Sequence, residues 1–156
     1  MTQTQVKLKF TLEDYQHLPE SETKRYELLG GELMMVPAPN WFHQSLSRVL
    51  FKFLDRFVEQ HELGEVRFAP LDVILSEEDV VQPDILFISR ERRGIIHEDG
   101  IHGAPDLVIE ILSPATAGRD RSFKRTLYAR SGVREYWLVD PDSKSIEVLT
   151  LSQQGY

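Results

Sequence analysis

"APDLVIEILSP", residues 104–114, sets one carboxylate, Glu110, inside an aliphatic run. A run of Val, Ile and Leu without polar alternation marks a strand covered on both faces. An interior strand is therefore predicted here, and an ionised side chain on it costs several kcal/mol unless it is paired or holds a metal. Side chains two apart share a strand face, so Asp106, Val108, Glu110 and Leu112 point one way and Leu107, Ile109 and Ile111 the other. Asp106 cannot share an ion with Glu110, because four residues of strand span ~13 Å whereas metal–oxygen bonds are ~2 Å. A partner must come from a neighbouring strand.

"QPDILFIS", residues 82–89, repeats the Pro-Asp-apolar opening and offers Asp84. If the two strands are adjacent and suitably staggered, Asp84 and Glu110 form a Mg²⁺ site of the kind that keeps several waters and takes substrate phosphates. Lys124, on the first turns of the following helix, could reach back over the end of the same strand. The competing readings are a structural ion pair for Glu110 and a turn or strand-opening role for Asp106.

Around this centre, "TLEDYQHLP" reads as a short helix capped by Thr11 with Asp14 three positions on. "RYELLGGELMMVP" has apolar arms either side of Gly30-Gly31 and predicts a β-hairpin. From His43 to His61, Leu46, Val49, Leu50, Phe53, Leu54 and Phe57 recur at spacings of three and four, which predicts a helix with one apolar stripe. "VRFAPLDVILS", with Asp72, joins the two Pro-Asp strands at the sheet centre. "DRSFKRTLYARSG" predicts a second helix with Asp120 as N-cap and Gly132 as C-cap signal. "EYWLVD" and "SIEVLTL" follow as strands joined by a turn. The order implies an α/β fold, a mixed central β-sheet flanked by helices and preceded by a short helix and a hairpin.

At 156 residues the chain suits one domain, 1–156, and a composition of 41% hydrophobic and 28% charged residues is that of a soluble globular protein. Having no cysteine, it lacks disulfides and thiolate metal sites, which fits the cytoplasm. No run approaches the ~20 apolar residues of a membrane span. The net charge of -7 argues against a protein that coats nucleic acid. Between Ala115 and Arg134, however, six basic residues face one acid, either as a solvated helix face or as a phosphate-contacting one.

"QPDILFIS", "APDLVIEILSP", "D..FK...Y" and "GVREYWLVDP" together resemble the putative restriction endonuclease family of the PD-(D/E)XK nuclease superfamily. The likeness runs from about Tyr26 to Val148. It implies a restriction-endonuclease-like core and Mg²⁺-dependent hydrolysis of phosphodiesters, with Mn²⁺ as a possible substitute. Asp84 resembles the first metal-binding acid and Glu110 the second; the carbonyl of Ile111 completes the implied ligand set. The strand lysine of the superfamily pattern is replaced by Leu112, and Lys124 resembles the lysine that has moved to the next helix. Beside such a metal site Arg121 and Arg125 become phosphate-contact candidates. Glu32 resembles an acidic hairpin position of the family, and His43, Asp72 and Asp106 are further candidates for the cleft. DNA is the implied substrate; the apolar residues of "EYWLVD" and the final strand could close the sheet's edge or meet a second copy, and a symmetric homodimer is the expected assembly. The alternative from the binding class is a nucleic-acid-binding or regulatory module with weak or no catalysis on the same fold.

Overall fold

The computed structural model describes residues 6–156. Helix α1 (Leu12–Gln16) opens with the predicted reciprocal cap: the Thr11 side chain accepts from the Asp14 N–H and the Asp14 side chain from the Thr11 N–H. The hairpin β1 (Arg25–Leu29) and β2 (Glu32–Val36) turns on Gly30 and Gly31, both at positive φ, a conformation glycine adopts without a Cβ clash. Helix α2 (Trp41–Gln60) is capped by the Asn40 side chain.

The run "VRFAPLDVILS" becomes two strands in two sheets, β3 (Gly64–Phe68) and β4 (Val73–Ser76), because the Pro70 ring cannot donate to a ladder and the chain turns there. After β5 (Asp79–Val81) comes β6 (Ile85–Ser89), then a 3₁₀ turn and the short strands β7 (Ile96–His97) and β8 (Gly100–His102). β9 (Leu107–Ile111) is buried at every residue, as its uniform apolarity predicts. The second predicted helix is broken at Ser122 into α3 (Ala117–Arg121) and α4 (Phe123–Ser131). Asp120 is therefore not an N-cap: it lies within α3 with its side chain buried. Gly132, at φ 90°, closes α4 as expected. β10 (Glu135–Asp140) and β11 (Ser145–Thr150) end the sheet structure.

Two sheets result, with orders β2-β1-β5-β4-β8-β7 and β11-β10-β9-β6-β3. One face of the five-stranded sheet packs on the other sheet and on α4, through Leu86, Val108, Leu138, Val73 and Tyr128. Its other face, with Ile85, Ile109 and Ile111, is covered by Leu46, Leu50, Phe51 and Leu54 of α2. The central pair β6 and β9 is antiparallel, with Ile85 opposite Ile109. Continuing that register by one residue sets Asp84 opposite Glu110.

Candidate active site

Glu110 points away from α2, into the layer shared by the two sheets and α4. The three-and-four spacing of Lys124, Leu127 and Tyr128 gives α4 one buried face. That face carries two donors to the same acceptor: Lys124 Nζ lies 2.9 Å from Glu110 Oε1, and the Tyr128 hydroxyl donates to it at 2.8 Å. Lys124 also contacts Glu27 Oε1 of β1 at 3.0 Å and Asp120 Oδ1 at 3.7 Å. Glu27 is held in turn by the backbone N–H of Gln82 at 2.7 Å. One buried ammonium thus serves three buried carboxylates.

Burial alone would lower the Lys124 pKa, but Glu110, Glu27 and Asp120 outweigh it and hold the amine firmly protonated. Burial is the main cause pushing the carboxyls of Glu110 and Asp120 up, opposed by Lys124. The site is short of positive charge.

Asp84 lies at the rim of this layer. Its Oδ2 accepts the Ile111 N–H at 2.7 Å and lies 3.3 Å from Nε2 of His43, in the first turn of α2. The hydrogen bond to Asp84 raises the His43 pKa; burial opposes it, and the Ile111 backbone adds a further raising contact. A raised histidine stabilises the fold fully below its unfolded pKa, ~6.5, and that contribution is lost as pH rises through the folded value. His43→Gln should therefore depress the melting temperature most below about pH 6.5 and progressively less above the folded pKa; a pH-independent deficit in calorimetry would reject this.

These residues face a cleft of about 530 Å³, lined by Asp84, Glu110, Lys124, Glu27 and Asp120, with Arg25, Arg48 and Arg119 at its sides. Asp84 Oδ1, Glu110 Oε2 and Glu27 Oε2 accept no hydrogen bond from the described residues. Hard carboxylate oxygens without protein donors, Glu110's on a carboxyl whose ionised form burial disfavours, are a donor set that suits a divalent cation such as Mg²⁺. Among the described residues no group of three His, Asp or Glu side chains is arranged to enclose an ion, so a cation here would keep water in its remaining positions.

Five sequence candidates lie elsewhere. Glu32 is on the outer arm of the hairpin, paired with Lys7. Asp72 accepts from the Tyr15 hydroxyl and from Gln82 Nε2, both at 2.8 Å, in a separate hollow beneath α1. Asp106, at the far end of β9 from Glu110's cluster, accepts the Ser89 N–H at 2.7 Å and faces Arg92. Arg121, the last residue of α3, turns outward to Asp140 and Glu147. Arg125 reaches the Tyr156 carbonyl at 3.4 Å. Two carboxylates outside the expected set, Glu27 and Asp120, belong to the cluster instead. Glu27 carries the same signature as Glu110, an acid flanked by apolar residues in "RYELL".

A family model described as "Putative restriction endonuclease" matches residues 12–156. A crystal structure of a putative nuclease from Anabaena variabilis is similar in fold, with a TM-score of 0.78 and 24% sequence identity. The match covers 92% of this chain and 81% of that one. No curated protein matches the chain.

Proposed function

The chain belongs to the putative restriction endonuclease family, and from that premise we propose that its cleft is the active site of a Mg²⁺-dependent endonuclease that hydrolyses DNA phosphodiesters. The observation that carries the reading is the meeting of Lys124, Glu110 and Asp84 at one cleft, from helix α4, strand β9 and the residue that leads into the neighbouring strand β6. Asp84 and Glu110, with the Ile111 carbonyl, would hold Mg²⁺ or Mn²⁺. Such an ion supplies positive charge that polarises a phosphoryl oxygen and lowers the pKa of nearby water.

The chain's own groups have separate roles in this reading. Lys124, held protonated by three carboxylates, places a positive charge where the phosphate becomes more negative. Tyr128 and Lys124 share Glu110 Oε1, which orients the carboxylate and leaves Oε2 for the ion. His43 holds Asp84 from the α2 side. Arg25, Arg48 and Arg119, which line the cleft, would supply the phosphate contacts, whereas Arg121 and Arg125 reach Asp140 and the Tyr156 carbonyl.

The test is nicking of supercoiled plasmid by the purified protein with Mg²⁺, Mn²⁺ or EDTA, beside Asp84→Asn to exclude a contaminating nuclease. Cleavage that needs metal and fails in the variant is the expected result. Metal-independent product, or cleavage by both proteins alike, would sink the reading. Salt-dependent DNA retention without cleavage would favour a binding module instead.

The arginines give a separate prediction. Arg119→Ala should weaken DNA binding similarly across sequences and reduce the slope of log affinity against log salt by about 1, while Arg121→Ala should leave both nearly unchanged. Filter binding over a salt series reads both quantities, and equal effects of the two substitutions would refute the assignment.

A further inference from the structure

The stripe predicted for α2 is wider than the surface its own sheet covers. Leu46, Leu50 and Leu54 pack on the five-stranded sheet, but Val49, Phe53 and Phe57, four apart along one flank, stay 42%, 74% and 53% exposed. The direction of that flank follows from Phe51. Its ring meets Phe68 on β3 with centroids 4.8 Å apart, so the Phe51 side of the helix faces the β3 edge. At ~100° per residue, Val49 and Phe53 lie roughly opposite, towards β10 and β11.

The sheet is also uncovered there. Ile146 stands opposite Val139, and Val148 opposite Trp137, so all four share a face. Trp137 and Val139 are in turn beside Ile109 and Ile111, on the face that α2 covers. Ile146 and Val148 nevertheless remain 48% and 52% exposed. The molecule therefore has an apolar step: the flank of a helix as its wall and the β10–β11 surface as its floor.

We propose that a second copy of this chain fills the step, with α2 lying antiparallel to the partner's α2 and over the partner's β10–β11 floor. The two halves are complementary. Among the described residues no helix covers the floor and no apolar surface meets the flank; a two-fold axis supplies each from the other copy, which is the condition for a closed isologous dimer. Size agrees as well. Scaled by their fractional exposure, the two phenylalanines and the three smaller aliphatic side chains together present on the order of 500 Å² of apolar area. That is about the apolar share, ~65%, of the ~800 Å² each partner buries in a standard interface. The inference is independent of the nuclease reading. It moves the expected dimer contact from the edge of β11 to the face beside it.

The test is sedimentation velocity and light scattering of the full chain, with Phe53→Glu and Val148→Lys made separately. The wild type should have twice the 18.1 kDa chain mass. Each variant should raise the dimer dissociation constant at least ~100-fold, as loss of a central anchor does. Both residues are half or more exposed, so the melting temperature of the monomer should hold; if one variant misfolds, the other still reads the interface. A monomeric wild type at tens of micromolar, a mass that climbs without limit, or a dimer that survives both substitutions through the β11 edge would each overturn the proposal.

Discussion

Lys124→Met is expected to abolish metal-dependent nicking and to lower stability together. The substitution keeps the aliphatic stem but removes the ammonium that lies within 4 Å of Glu110, Glu27 and Asp120 alike. Breaking a buried pair from one side leaves the other side uncompensated and costs about 3–5 kcal/mol. At roughly 2–4 °C per kcal/mol for a chain of this size, the melting temperature should fall by on the order of 10 °C. Added Mg²⁺ should recover part of that loss, because a divalent cation offers the carboxylates a replacement charge. Assayed well below its melting point, the variant should turn over at least ~100-fold more slowly than the wild type. Wild-type melting would mean the three contacts do not hold the fold, and wild-type turnover in a folded variant would remove Lys124 from the chemistry.

Glu110→Gln separates the same two properties. The amide oxygen can still accept from Lys124 and Tyr128, and the change removes a carboxylate whose ionisation burial opposes. Melting without metal should therefore stay close to the wild type or rise. The metal response should vanish. A site that binds only the folded state stabilises it by about 2.7 kcal/mol at a hundred times the dissociation constant, so the wild type should melt several degrees higher with saturating Mg²⁺ and return with EDTA. The variant should show neither that shift nor cleavage. A Mg²⁺ shift of wild-type size in Glu110→Gln would place the ion elsewhere, and a large loss of stability without metal would make Glu110 primarily a structural ion pair.

Much of the candidate site is legible in the amino-acid sequence, for one reason. An acid amid Val, Ile and Leu is expensive, and the expense shows in its neighbours along the chain. Glu110 and Asp84 stand out on that ground. It applies equally to Glu27, which is flanked by Tyr26 and Leu28 and is 3% exposed, whereas the family likeness points to Glu32 on the more open arm of the hairpin. The basic segment behaves differently. As one continuous helix it would set Arg121 and Arg125 near Lys124 and make Asp120 a cap. Instead the helical structure begins before Asp120, at Ala117, so Asp120 is no cap; it turns in to Lys124 four residues on, while Arg121 turns out to Asp140 and Glu147.

The sequence by itself determined the elements and the anomalies: the Gly30-Gly31 hairpin, the fully buried β9, the long α2 and the carboxylates that needed partners. These depend on periods of two and 3.6 and on turn chemistry, which act between near neighbours. Only the tertiary structure decided the encounters. That Asp84 stands opposite Glu110 depends on β6 and β9 being adjacent in one register; that Lys124 meets Glu27 depends on a hairpin 97 residues away along the chain packing under α4. Which flank of α2 stays bare depends likewise on the width of the sheet beneath it. Side chains converge through strand order and packing, and neither is a property of any local stretch.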